Sequence, residues 1–352
     1  AYGVTARGNF EGRNILNRRL SDQAVAKTVG RSASKVHDEL AAARAKLYEA
    51  RRHRPPPIVD SKVIAAWNGL MISAFARAGA VLNEQAYTDA AARAASFVLE
   101  QMRGSDGALV RTHKDGRPGP AAFLDDYAFM VAACLDLYEA TGKLTWLDEA
   151  LSLQRFQDAH FADDEGGYFM TTDEHEALLV REKPSADRAV PSGNSVAALN
   201  LLRLAEFTGD ADWQHKAETL FAALAPGLQR APLGSPQALV ALDYYLDVPF
   251  EVALLSPAAT PAPGPLSDVL RSAFLPNRVL AVLTDEAAAA QQSTVPWLTG
   301  KRSLGGLTTA YVCERGRCEL PTSEPEVLAR QLSKHRPYPS GEPSKLSVPE
   351  AR

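Results

Sequence analysis

Hydrophobic and polar positions recur along the chain in long blocks. Three stretches share one plan: "WNGLMISAFARAGAVLNEQAYTDAAARAASFVLEQM" from Trp67, "DDYAFMVAACLDLYEATGKLTWLDEALSLQRFQDAHF" from Asp125, and "SGNSVAALNLLRLAEFTGDADWQHKAETLFAALAPGL" from Ser192. Each opens on a small polar cluster, runs through an apolar block, turns at or near a glycine (Gly79, Gly142, Gly209) and restarts at an aromatic residue (Tyr87, Trp146, Trp213). The aromatics lie 59 and 67 positions apart, so the pattern predicts a repeat of helical hairpins. In "AFMVAACLDLYEA" and "SVAALNLLRLAEF" the first helix is apolar on nearly every side, which predicts surroundings of protein. The second helix keeps a charged stripe at helical spacing and so has one wet face. Inner and outer helices in alternation predict a mainly α fold, an α/α toroid. A straight solenoid, the competing architecture, has shorter units of about 34 to 47 residues.

Two inserts join an outer helix to the next inner helix, "GSDGALVRTHKDGRPGPAAF" and "DDEGGYFMTTDEHEALLVREKPSADRAVP". A glycine turn followed by β-prone residues makes each read as a β-hairpin on the rim where the inner helices begin. Upstream, "SASKVHDELAAARAKLYEARRHR" from Ser32 predicts one more outer helix, broken at the "RPPP" of Arg54, and "SPQALVALDYYL" from Ser235 one more inner helix. From Pro249 the texture changes to strand, helix, strand, strand, helix. The expected domains are the toroid over 1–248, a small C-terminal α/β appendage over 249–333, and a mobile tail over 334–352 rich in Pro, Ser and charge.

Composition narrows the function classes. A net charge of -4 and a pI of about 6.0 leave no basic surplus for phosphates or anionic lipid, so nucleic acid is not an expected partner. No apolar run approaches the roughly 18 residues of a membrane helix, and no signal-peptide pattern opens the chain, so a soluble, cytoplasmic protein with no membrane partner is expected. The chain opens at Ala1 without a start methionine, which reads as a piece of something longer. Cys134 lies in an apolar helix body and reads as core packing. Cys313 and Cys318 in "YVCERGRCEL" flank Gly316 like two sides of a hairpin. A cross-strand thiol pair in a reducing compartment is expected there, and no zinc site, because no ligand pair follows at metal spacing.

Polar residues cluster at the inner-helix starts: Asp60, Lys62, Trp67 and Asn68; Asp125, Asp126 and Tyr127; Ser192 and Asn194. The rim inserts add Glu165, Tyr168, Lys183 and Asp187. Carboxylates, amides and aromatics in a concave place suit a sugar, with aromatic faces to stack on rings and Asp or Asn to bind vicinal hydroxyls. Asp60, Asp125, Asp126 and Asp187 are the acid/base candidates; the others would bind substrate. Each also has a plain structural reading. Asp, Ser and Asn are preferred helix caps worth about 1 kcal/mol, a second acid can answer the helix dipole, Trp67 and Tyr127 can be packing residues, Glu165 a turn residue, and Lys183 and Asp187 a loop ion pair. Neighbours Asp125 and Asp126 point about 100° apart on a helix, so they do not suit opposite sides of one scissile bond. No phosphate loop, metal-ligand spacing or nucleophile elbow is present, and neither a cofactor nor a metal is expected.

The motifs "GNFEGRNIL", "DSKVIAAWNGLMISAFARAG", "FLDDYAFM", "LYEATG", "GGYFMTT", "PSGNSVA" and "AYVCERGRCELPT" resemble, in order from about Gly8 to Leu332, the thioredoxin-domain-containing proteins of the spermatogenesis-associated protein 20 type. The resemblance implies a six-hairpin glycosidase-like toroid, similar also to N-acylglucosamine 2-epimerases. It implies too that a thioredoxin-like domain and the first hairpins stand upstream, so this chain would carry an incomplete ring. Two functions follow as expectations: a carbohydrate-active or sugar-binding toroid with hydrolase- or epimerase-like chemistry on a small-molecule saccharide, or a non-catalytic scaffold that binds clients beside the redox domain.

Overall fold

The computed structural model describes residues 1–176, 179–258 and 264–334. Residues 259–263 of the Pro/Ala-rich stretch and nearly all of the expected tail lie outside the described residues. The chain divides into two compact units, Ala1–Asp60 and Ser61–Arg352.

In the first unit the Asn9 side chain pins a turn by accepting from the Ile15 amide (2.7 Å) and donating to the Gly3 and Ile15 carbonyls. Helix α1 (Asp22–Val29) starts at the Ser21 cap and stops at Gly30, whose φ of 67° is the left-handed turn that glycine adopts without strain. Helix α2 (Ala33–Arg52) is the one predicted from Ser32, which caps it. α2 packs with α1 in this unit and buries Val36.

The second unit holds the repeat. Its hairpins are α3 (Ala65–Leu82) with α4 (Gln85–Gln101), α5 (Leu124–Thr141) with α6 (Leu144–Phe161), and α7 (Gly193–Thr208) with α8 (Ala211–Arg230), followed by α9 (Pro236–Leu246). α3, α5, α7 and α9 pack side by side in that order, and α4, α6 and α8 each back onto their own partner. This is the two-layer arrangement of an α/α toroid. Burial matches the layers: Met130, Cys134, Leu135 and Tyr138 of α5 are fully buried from one side of the helix to the other. Gly142 and Gly209 end their helices at positive φ, as expected. Gly79 does not turn the chain. It lies inside α3 where an added Cβ would collide with Thr88, and the turn falls at Asn83 (φ 54°).

The first insert is a hairpin, β2 (Thr112–Lys114) with β3 (Arg117–Pro118), and it also pairs with β1 (Val63–Ile64) before α3. In the second insert, among the described residues, "YFMTT" makes an isolated bridge, Ala162 to Tyr168, and the Met170 amide donates to the Glu182 carbonyl. The side chain of Asn194 takes the place of a ladder partner there, as described below.

The C-terminal region has β4 (Phe250–Ser256), α10 (Pro265–Ser272), β5 (Arg278–Thr284), α11 (Asp285–Gln291), β6 (Thr309–Glu314), β7 (Arg317–Cys318) and α12 (Pro325–Ser333). The sheet order is β5-β4-β6-β7, with β4 and β5 parallel. Strand alternation assigns its faces: Val252, Leu254 and Val312 join α10 and α12 in one core, while Ala253, Leu255, Ala281 and Tyr311 join the helical core. The sheet therefore seals one end of the helical layer. A Cβ on Gly142 would come within 2.5 Å of the Val282 carbonyl, and Gln291 bridges the Tyr138 hydroxyl (2.8 Å) and the Gly142 carbonyl (2.9 Å). The small C-terminal α/β region expected from Pro249 forms, and one face of its sheet packs on the helical layer. Cys313 and Cys318 face each other across β6 and β7 as predicted, but as a disulfide and not as two thiols. Among the described residues no helix is long and apolar enough to cross a membrane.

Candidate site at the inner-helix rim

The starts of the inner helices do converge, and aspartates are what bind them together. Asp126 is fully buried. Its Oδ1 accepts from the Ala66 amide in the first turn of α3 (2.8 Å), and its Oδ2 from the Phe123 amide before its own helix (2.9 Å). Arg111 approaches the same Oδ2 at 3.3 Å. Burial pushes the carboxyl up to about 6 against the pull of those amides and Arg111. Asp187 repeats the device: Oδ1 accepts from the Ser192 amide (2.9 Å) and Oδ2 from the Gln237 amide in α9 (2.7 Å). Two carboxylates thus cap four helices, satisfying amides that a helix start leaves bare.

Asp125 is different. It turns toward α7, where a Cβ on Gly193 would come within 2.7 Å of its Oδ1, so glycine is what permits the approach. That oxygen is buried and makes no hydrogen bond of ordinary geometry. Burial raises its pKa, outweighing the downward pulls of the Gly193 amide and of Arg111.

The other predicted residues divide by environment. Tyr127 is buried, its hydroxyl accepting from the Leu109 amide (2.7 Å) and its ring stacked on Phe156 at 4.9 Å, so it offers no face to a ligand. Tyr168 is buried too, with its hydroxyl on Asp158 (2.7 Å). Asn194 is a clamp: Oδ1 accepts from the Tyr168 amide, and Nδ2 donates to the Tyr168 and Pro184 carbonyls. Ser192 caps α7 by accepting from the Ser195 amide (3.1 Å). These four are architectural, because every polar group that would meet a ligand already meets the backbone or the core. Asn68 donates to the Ile64 carbonyl (2.9 Å), and Lys183 pairs with Asp163 and lies over the Phe169 ring at 5.5 Å. Lys62, Glu165 and Trp67 are exposed, Trp67 at 63%. Asp60 is exposed and is the last residue of the first unit.

Three rim residues were missed. Arg111 lies over the Phe123 ring (4.9 Å), and the His175 ring packs against Phe123 at 5.3 Å while its Nδ1 accepts from the Thr172 amide (3.1 Å). Arg111 lies in the first insert, directly before β2, and that placement on the rim was the available signal. Among the described residues no group of three or more His, Cys, Asp or Glu could hold a metal. What the rim presents is an exposed indole, a guanidinium, and one carboxyl whose Oδ1 is not used by a helix. Such groups can stack on a ring, bind hydroxyls and move a proton.

No protein-family model matches the chain. Spermatogenesis-associated protein 20 of Homo sapiens is 36% identical over 94% of this chain and 45% of its own length; that of Mus musculus is 35% identical over 92% and 42%. The chain thus spans about half the length of the curated relatives it matches. Among solved structures, the GH76 α-mannanase of Bacteroides thetaiotaomicron aligns with a TM-score of 0.40 at 16% identity, over 47% of this chain and 45% of that one. Cellobiose 2-epimerase of Spirochaeta thermophila aligns with a TM-score of 0.39 at 19% identity, over 46% and 42%.

Proposed function

We propose that this chain, which matches the spermatogenesis-associated protein 20 family, binds a saccharide at the rim of the inner helices, with Asp125 exchanging a proton with it. One observation carries this reading: Asp126 and Asp187 spend both carboxylate oxygens on helix-start amides, whereas the Asp125 Oδ1, against Gly193, makes no hydrogen bond of ordinary geometry. Burial raises its pKa, which helps a carboxyl take a proton as well as give one. Trp67 supplies a stacking face, and Asn68, Lys62, Glu165 and Lys183 the polar surroundings. A glycosidase needs a second carboxylate about 5 to 10 Å away, and Asp126 and Asp187 are committed to helix starts. Single-residue proton transfer of the epimerase kind therefore fits better than hydrolysis.

The test is a saccharide panel read by thermal shift and calorimetry on the full-length protein. A binding sugar raises the melting temperature. Asp125→Asn abolishes turnover, and Trp67→Ala weakens binding roughly tenfold, the value of about 1.4 kcal/mol of stacking. Unchanged turnover in Asp125→Asn, or no shift with any sugar, sinks the reading. A second reading, a client-binding scaffold beside a thioredoxin-like domain, is favoured by α3, along which Trp67, Met71 and Val81 stand exposed. Loss of client association in Met71→Lys, with Asp125→Asn silent, would select it.

A further inference from the structure

The disulfide of the C-terminal sheet stands in a row the sheet register defines. Val279, Glu251, Cys313 and Cys318 are aligned across β5, β4, β6 and β7. Glu251 and Cys313 share the parity of Ala253 and Tyr311, so both point toward the helical layer, and both are buried. Directly opposed residues of antiparallel strands hold their Cβ atoms about 4.5 to 5.5 Å apart, which sets the Glu251 carboxyl beside the Cys313 sulfur. Cys318 lies exposed on β7, the edge strand of the sheet.

Glu251 has no evident structural employment. Its Oε2 is buried without a hydrogen-bond partner, as is the Tyr244 hydroxyl of α9 nearby. The charged groups around this cluster are Glu206 at the end of α7, Arg203 of α7, Glu139 of α5, Arg278 of β5, Lys301 ahead of β6 and Arg315 in the β6–β7 turn. Burial pushes the Glu251 carboxyl up, and Lys301 opposes this.

We propose that Cys313–Cys318 is a thiol–disulfide exchange site for an external dithiol, with Cys318 the attacked sulfur, Cys313 the leaving group and Glu251 its proton donor. The burial pattern fixes the direction, since only Cys318 is open to a nucleophile. The thiolate of the dithiol forms a bond to Cys318 Sγ as the Cys313–Cys318 bond breaks. The electron pair leaves on Cys313 Sγ, which takes the proton of Glu251. The second thiol of the dithiol loses its proton to solvent and attacks the mixed disulfide. Cys318 then leaves as a thiolate and is protonated by solvent, and Glu251 regains its proton. The dithiol is oxidised to a disulfide and the hairpin reduced to two thiols. This inference is independent of the saccharide reading.

The experiment treats the full chain with dithiothreitol under native conditions and counts thiols by maleimide mass shift, with circular dichroism confirming that the fold persists. Two thiols should appear, Cys134 staying unlabelled because it is fully buried. After correction for the dithiothreitol thiolate fraction, the rate should fall as pH rises, because Glu251 loses its proton. Glu251→Gln should slow the reaction about tenfold or more at pH 6 and flatten that profile, and Glu251→Asp should restore part of both. Reduction only where the protein unfolds, or a Glu251→Gln profile equal to wild type, overturns the proposal. If Glu251→Gln does not fold, a corrected wild-type rate that is flat with pH overturns it equally.

Discussion

Asp126 offers the sharpest test of the reading that rim carboxylates build the layer. In Asp126→Ala two buried amides, of Ala66 and Phe123, lose their acceptor. Each unsatisfied buried donor costs about 1 to 3 kcal/mol, a range that already includes the loss of a cap. The Arg111 contact adds little, because that side chain is one-third exposed. Together about 3 to 4 kcal/mol of stability is lost, a large part of what a domain has. Asp126→Asn keeps one acceptor but turns an N–H toward the other amide, so about half the loss is expected. Urea unfolding at pH 7, extrapolated linearly, measures both. The order wild type, Asn, Ala with steps near 2 kcal/mol is expected. An Asp126→Ala variant within about 0.5 kcal/mol of wild type refutes the capping argument, since that is the scatter of substitutions that touch nothing.

Two further outcomes follow from buried charge. Burial, with the neighbouring Glu251, raises the Glu206 carboxyl to about 7. The folded chain then holds this proton more tightly than the unfolded one, so stability falls as pH rises from about 4.5 to 7, by up to about 3 kcal/mol. Glu206→Gln should remove that slope, and parallel stability–pH curves for the two proteins would contradict it. Although burial pushes Asp136 up, Arg77 and Arg203 outweigh it and hold the carboxyl below its ordinary range. Arg203 also bonds Glu139 (3.0 Å), so Arg203→Met should cost about 3 kcal/mol in urea unfolding, and a neutral result would show that Arg77 and Arg278 suffice.

Much of the helical layer was legible because its signals are local and repeated. Apolar blocks, the glycine stops Gly142 and Gly209, and the restarting Trp146 and Trp213 each act within a few residues. The α/β region was legible in its main strands for the same reason, as was β7 in the Cys313–Cys318 hairpin, with α11 too short to announce itself. What escaped depends on distance. Asp126 and Asp187 look like site carboxylates in sequence, and only their partners 60 and 50 positions away show that they hold helices. Tyr127 and Tyr168 carried the same ambiguity, since an aromatic beside an acid reads alike whether it faces water or Phe156. The second insert had strand-forming residues, yet Asn194 supplies bonds to its backbone from outside any ladder.

The shared caps bear on how such a chain can change over generations. In a simple stacked array, each unit meets its neighbour through interchangeable surfaces, and units can be lost or duplicated whole. Here the carboxylate that finishes one hairpin's first turn belongs to the next hairpin or to the segment between hairpins. Excising a single unit would strand amides on one side and acids on the other. The number of hairpins is therefore held by a chain of mutual debts, and variation is freest in the stretches of the rim inserts that carry none of them, such as the Asp115–Gly116 turn, and not at Asp187.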